Sequence, residues 1–185
     1  METPKTCSFF GHRKIELTEE LIINLRQIIE DLILHHNVYT FLFGSRSDFD
    51  NICYDIVTEL KEKYPCIKRL NYTCKSEACI MESERKSWED KYLNIAKKEI
   101  RLRGFEGEVE HKNKYSAGRA SYVMRNYTMI EDSTYCIFYY KKDYTPDMRK
   151  YSKRDIGYYQ PKSGTALAYA YANQKRKTII NLFKL

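Results

Sequence analysis

The sequence lacks an uninterrupted apolar run of about 18 residues, which is the length that a membrane-spanning helix needs. Residues 1–10 also lack the long apolar stretch of a secretory signal peptide. We therefore expect a cytoplasmic protein with no membrane partner, whose six cysteines are reduced thiols. These cysteines do not occur at the spacing of four zinc ligands, so we expect neither a metal site nor a cofactor.

Two common phosphate-binding sequences are absent as well. The chain has no Walker A loop, which reads Gly, four residues and then Gly-Lys-Ser/Thr, and it has no Gly-x-Gly-x-x-Gly fingerprint. It also has no internal repeat and no low-complexity linker, so we expect one domain over residues 1–185.

The amino-acid composition is basic, rich in tyrosine and typical of a globular protein. Hydrophobic residues make up 43% and charged residues 31%, which is typical of a chain with a folded core. The net charge of +7 favours anionic partners such as nucleotides, nucleic acid or phosphorylated metabolites, although a lysine-rich surface can also serve solubility alone. The 17 tyrosines suit surfaces where one edge of the ring stays wet, including ligand pockets.

Apolar segments alternate with helical periodicities along most of the chain. The predicted strands span residues 5–10, 38–43, 66–73, 133–140 and 178–183, and the predicted helices span 19–35, 49–63, 87–98, 117–130 and 163–174. This alternation predicts an α/β fold: a three-layer, Rossmann-like arrangement with a mainly parallel sheet of five or slightly more strands between helices. The polar segments 75–85 and 103–114 are predicted to be loops.

Small and polar residues occupy three places that should share one edge of this sheet. Ligands of open parallel sheets bind outside the carboxyl ends of the strands, where neighbouring connections diverge. The three turns are Gly11-His12-Arg13 after the first strand, Gly44 to Asp50 after the second, and Pro161 to Thr165 before the last helix. Independent loops have no reason to share this composition unless they line one pocket.

Each turn contains groups that can bind an oxyanion. Gly11 allows a sharp turn or a close approach of a ligand, and Arg13 carries a planar fork for phosphate. The helix N-termini near Asp48 and Ser163 present backbone amides, although Ser47 or Asp48 can also serve only as a helix cap. Asp50 can accept hydrogen bonds from ribose hydroxyls or simply favour the helix dipole.

In this order, the turns resemble those of the SLOG superfamily, which groups the lonely-guy (LOG) nucleotide hydrolases with DprA-type proteins. The resemblance is strongest to its YpsA-like branch of small bacterial and phage proteins, where Gly-His-Arg, a glycine turn ending in Phe-Asp, and Ser-Gly-Thr occur in the same order. Residues 122–129, which contain Arg125-Asn126, are similar to the Arg-Asn helix of that branch, and residues 168–182 are similar to its end. The resemblance therefore spans nearly the whole chain.

The resemblance implies a Rossmann-like domain that binds a nucleotide or a nucleotide-derived ligand. The implied ligand-binding positions are Gly11, His12, Arg13, Gly44, Ser45, Arg46, Asp50, Arg125, Asn126, Ser163, Gly164 and Thr165. Arg125 also has an ordinary alternative, a solvated charge on a helix. Proteins of this superfamily are often oligomers, so a homo-oligomer stays an open alternative.

One departure from the superfamily bears on catalysis. The LOG hydrolases carry Pro-Gly-Gly-x-Gly-Thr-x-Glu-Glu, whose glutamates serve N-glycosidic bond cleavage, but Leu167 and Ala168 stand at those positions here. Neither residue can activate water or stabilise an oxocarbenium-like centre, which argues against the LOG mechanism.

Three functions therefore stay open from the sequence. The favoured one is a sensor or sequestering module for a nucleotide-like or other phosphorylated small molecule. The second is a hydrolase or transferase acting on N-glycosidic bonds, with His12 as the acid–base group and Asp50 as the carboxylate. The third is nucleic-acid binding through residues 141–154, where basic residues alternate with Tyr140, Tyr144 and Tyr151.

Overall fold

The computed structural model describes residues 4–44, 47–74, 105–111, 119–150 and 156–183. The strands and helices in these ranges follow one another as β1 (Lys5–Gly11), α1 (Glu19–His36), β2 (Val38–Phe43), α2 (Asp48–Lys63), β3 (Lys68–Cys74), β4 (Gly107–His111), α3 (Arg119–Glu131), β5 (Tyr135–Tyr139), α4 (Gly164–Gln174) and β6 (Thr178–Asn181). This alternation confirms the predicted α/β class.

The strands form one six-stranded sheet in the order β4-β3-β2-β1-β5-β6. Every neighbouring pair is parallel. Each step from one strand to the next therefore needs a connection that crosses over a face of the sheet. The result is the predicted Rossmann-like arrangement, with one strand more than the five located in the sequence.

Side chains of β1 alternate between the two faces of the sheet. Cys7 and Phe9 pack in a cluster with α1 and α2, whereas Phe10 packs in a second cluster with α3 and α4. All three side chains are buried, because β1 is a central strand covered by helices on both sides. The two helical layers therefore enclose the strand whose end carries the first of the three turns.

The first helix follows directly from sequence signals. Thr18 caps α1, since its Oγ1 atom accepts a hydrogen bond from the Leu21 amide at 3.2 Å. Apolar side chains at helical spacing are buried against the sheet, namely Leu21, Leu25, Ile29, Leu32 and Ile33. After His36 the chain leaves the helix at Asn37, which adopts the left-handed conformation with φ 57°.

Strand β4 shows that the prediction of a loop over residues 103–114 was wrong for Gly107–His111. This segment has a single aliphatic side chain, Val109, so its sequence shows no strand pattern. It nevertheless pairs with β3 at the edge of the sheet, and Val109 packs in the same cluster as Leu70. An edge strand is held mainly by backbone hydrogen bonds to one neighbour, which leaves a weak sequence signal.

The predicted helix over residues 87–98 and the predicted loop over 75–85 lie outside the described residues. Among the helices that are described, none is long and apolar enough to cross a membrane.

Candidate functional site

The strand order reverses between β1 and β5. Strands β2, β3 and β4 lie on one side of β1, while β5 and β6 lie on the other. The chain after β1 leads to α1 on one face, and the chain after β5 leads to α4 on the opposite face. In open parallel sheets this divergence forms a crevice outside the carboxyl ends of the two strands. Here the crevice lies beyond the paired residues Gly11 and Tyr139.

The first and second turns touch at this edge. A Cβ atom built on Gly11 would lie 2.3 Å from the Cβ atom of Phe49, so only glycine allows α2 to approach β1 this closely. The Asp48 amide also donates a hydrogen bond to the Arg13 carbonyl at 3.0 Å. The N-terminus of α2 is therefore fixed against the turn that follows β1.

The third turn joins the same edge through α4. The Thr165 hydroxyl donates a hydrogen bond to the Gly11 carbonyl at 2.9 Å. Thr165 is 8% exposed, so this contact is shielded from water. The first turn of α4 is thus held beside the residue that precedes His12, and the three turns lie together.

Gly44 brings α3 into the same region. A Cβ atom on Gly44 would lie 2.8 Å from Met129 Sδ and 3.0 Å from both Arg125 Nε and the Tyr72 carbonyl oxygen. Arg125 is 3% exposed, so it is not the solvated surface charge that the sequence left open. Its Nη2 atom donates to Asn126 Oδ1 at 3.1 Å. A buried guanidinium therefore lies against the turn that ends β2.

The two helix N-termini differ in how many backbone amides the chain itself uses. In α2 the Asp50 amide donates to Ser47 Oγ at 3.1 Å, and the Asp48 amide already donates to Arg13. Asp48 and Asp50 also place acidic side chains in the first turn, where they offset the helix dipole. This end of α2 is therefore poorly suited to a bound anion.

The N-terminus of α4 keeps its positive character. Ser163 caps it by accepting from the Ala166 amide at 3.3 Å, while the amides of Gly164 and Thr165 precede the first helical hydrogen bond and have no acceptor within the helix. Its first turn contains no acidic residue. A Cβ atom on Gly164 would meet nothing within 4 Å, so the backbone there is open to a close approach. These properties are those of an anion-binding helix end.

His12 directly follows Gly11, whose carbonyl is bonded to Thr165 of α4, and it is buried, with 3% of its surface exposed. Its Nε2 atom accepts a hydrogen bond from the Lys141 amide at 3.0 Å. Its Nδ1 atom is buried and has no hydrogen-bond partner among the described residues. Burial is the largest influence on the pKa of the His12 ring, and it lowers that pKa.

Tyrosines after β5 cover this histidine. The Tyr144 ring stacks on His12 with a centroid distance of 3.8 Å, and Tyr140 stacks on Tyr169 at 4.5 Å. Two of the three tyrosines assigned to base stacking in the nucleic-acid interpretation are therefore packed against the protein. The third, Tyr151, lies outside the described residues.

The other sequence-predicted positions occupy different environments. Arg13 is exposed and Asp50 is fully buried in the first turn of α2, while Ser45 and Arg46 lie outside the described residues. The sequence interpretation did not include Met129 and Tyr72, which pack around Gly44. No local pattern marks these two residues as neighbours of Gly44. Their positions on α3 and β3 indicate this only when the order of the strands in the sheet is known.

A groove of about 440 Å³ lies near the same edge, between α1 and the strands β5 and β6. Tyr139, Ile180 and Phe183 form an apolar part of its lining. Glu16 and Glu20 supply its charges, and its described lining residues contain no Lys or Arg. This groove therefore repels anions and differs from the site around His12 and α4.

Neither a protein-family model nor a curated protein sequence matches the chain. Among the described residues, no group of three or more His, Cys, Asp or Glu side chains could hold a metal ion.

Proposed function

We propose that the protein binds a phosphorylated small molecule, a nucleotide or a nucleotide-derived ligand, as a sensor or sequestering module of the SLOG superfamily. The observation that carries this proposal is the N-terminus of α4 at the strand-order reversal. It combines two amides without an acceptor in the helix, an open Gly164 and a first turn without acidic residues. The oxygens of a phosphoryl group would accept hydrogen bonds from these amides, and the helix dipole would stabilise the negative charge.

In this proposal, Arg125 supplies a cationic side chain in addition to the amides of α4. A buried guanidinium binds phosphate oxygens in pairs, and low solvent exposure strengthens that interaction. Arg125 lies against Gly44, at the carboxyl end of β2. The arrangement would hold an anion without a Walker A loop.

Native mass spectrometry of the protein purified from cells tests the proposal. We expect a bound mass that matches a nucleotide or a sugar nucleotide and that is released on denaturation. If the protein carries no such ligand and also binds none of a panel of nucleoside monophosphates and sugar nucleotides, the proposal is wrong.

Matched variants locate the binding site. Arg125→Lys keeps the charge but loses the planar fork, so we expect it to weaken nucleotide binding by about tenfold or more. Arg149→Lys makes the same exchange at an exposed position after β5, and we expect it to leave the affinity unchanged. Equal losses in the two variants would place the ligand elsewhere.

An N-glycosidic hydrolase or transferase is the alternative function, and full burial of Asp50 near the first turn is the observation that favours it. A buried carboxylate is a candidate catalytic group. Release of free base from a nucleoside monophosphate, abolished by Asp50→Asn, would support this alternative. Ligand binding without any release of free base would contradict this alternative and support the binding function.

A further inference from the structure

His12 is held by the backbone of a distant segment. Lys141 follows β5, and its amide donates to His12 Nε2 at 3.0 Å. A ring nitrogen that accepts a hydrogen bond must present its lone pair, so it cannot carry a proton at the same time. The neutral ring therefore carries its proton on Nδ1.

This proton has no acceptor among the residues that the structure describes. Nδ1 is buried and lacks a hydrogen-bond partner among the described residues. A buried donor without an acceptor is costly and rare in folded proteins, and it calls for a partner beyond the described residues. The Gly11 carbonyl, which directly precedes His12, is bonded to Thr165 of α4 and so ties this residue to the proposed anion site.

We propose that His12 is a fixed neutral donor whose Nδ1–H binds an acceptor oxygen of the ligand at α4, while Nε2 stays bonded to Lys141. This inference rests on the proposed function, and it deepens it by assigning His12 a specificity role. It also removes His12 from the acid–base role considered above, because protonation of Nε2 would break the bond to Lys141.

The surroundings of the ring oppose a positive charge on it. Among the described residues, the charged and titratable groups in contact with His12 are Lys141, Tyr140 and Tyr144, all from the segment after β5. None of them is a carboxylate, the kind of neighbour that stabilises an imidazolium. Burial lowers the pKa of the ring in agreement with this geometry.

Imidazole ¹⁵N spectra of the full chain test the tautomer directly. The chain has four histidines, and the His12 signals are assigned by their loss in a His12→Gln variant. We expect the neutral Nδ1–H tautomer at pH 8, and we expect it to persist as the pH falls through the usual pKa of histidine. A ring that carries its proton on Nε2, or that protonates near pH 6.5, would overturn the proposal.

Two variants separate the two ring nitrogens. The amide of glutamine places an oxygen near the position of Nε2, so His12→Gln can accept from Lys141 but loses the Nδ1 donor. The amide of asparagine places an NH₂ group near Nδ1, so His12→Asn keeps the donor. We expect nucleoside monophosphates to bind His12→Gln about tenfold or more weakly than wild type, and His12→Asn more tightly than His12→Gln.

The outcomes distinguish the two proposals. If the wild type binds a nucleoside monophosphate and His12→Gln binds it equally well, the donor role is wrong while the proposed function stands. If His12→Asn binds the nucleotide more weakly than His12→Gln, the donor role is also wrong while the proposed function stands. If the wild type binds no member of the panel, the proposed function fails and the assignment of His12 fails with it. Thermal unfolding of each variant confirms that it is folded.

Discussion

Gly11 and Phe49 lie so close that a side chain at position 11 has no space: its Cβ atom would be 2.3 Å from the Phe49 Cβ atom. This contact fixes α2 against the end of β1. We expect Gly11→Ala to lower the free energy of unfolding by about 1 to 3 kcal/mol, the usual cost of overpacking a core. Chemical denaturation with urea measures this loss.

Gly157→Ala is the control for that substitution. A Cβ atom on Gly157 would meet nothing within 4 Å, so we expect a change of less than about 0.5 kcal/mol. Equal stability of the Gly11 and Gly157 variants would mean that α2 does not pack on β1 as described.

Gly164→Ala separates ligand binding from stability. A methyl group at this position contacts no protein atom, so the free energy of unfolding should stay within about 0.5 kcal/mol of wild type. The same methyl group would stand where a phosphoryl group approaches the α4 amides. We therefore expect nucleotide affinity to fall by about tenfold in calorimetric titrations, since about 1.4 kcal/mol of binding energy corresponds to that factor. An unchanged affinity would place the phosphoryl group elsewhere.

The pairing of Glu106 with Arg69 gives a prediction for the edge strand β4. The Arg69 Nη2 atom donates to Glu106 Oε1 at 2.8 Å, and the Arg69 amide donates to Glu106 Oε2 at 2.6 Å. Burial alone would raise the pKa of Glu106, but the hydrogen bonds from Arg69 outweigh it and lower the pKa to about 2. The ionised carboxylate is therefore stabilised in the folded chain.

We expect Glu106→Gln to lower the free energy of unfolding at pH 7 by about 1 to 2 kcal/mol, after allowance for solvent screening of a partly exposed pair. Because the folded pKa lies below the ordinary value of 4.5, this contribution is present above about pH 4.5 and disappears as the pH falls towards 2. Urea denaturation across this pH range measures it. The exposed Glu62 provides the control Glu62→Gln, and a loss that is independent of pH would contradict the pairing.

Elements with strong periodicity were predictable from the sequence, whereas weakly patterned ones were not. The α1 helix has a capping Thr18 and a regular apolar face, so its start was predicted at the correct residue. Strand β4 offers only Val109 and depends on backbone pairing with β3, which no local pattern contains. Its position became apparent only with the complete sheet.

The features of the candidate site also differ in whether a local sequence pattern predicted them. Glycine turns and helix caps are local, so the sequence located the ends of β1, β2 and α4. The contact between His12 and Lys141 joins residues 129 positions apart, and it depends on β1 and β5 being neighbours. The burial of Arg125 likewise depends on α3 packing against Gly44. From the sequence, Arg125 was either a ligand-binding residue or a solvated charge on a helix.

The phosphate dependence of binding is the most direct measurement of the central claim. Calorimetric titrations of the wild-type chain would compare a nucleoside 5′-monophosphate with the same nucleoside lacking phosphate. An anion site at α4 predicts that the nucleotide binds at least about tenfold more tightly. Equal affinity for the two compounds, or binding of neither, would contradict it.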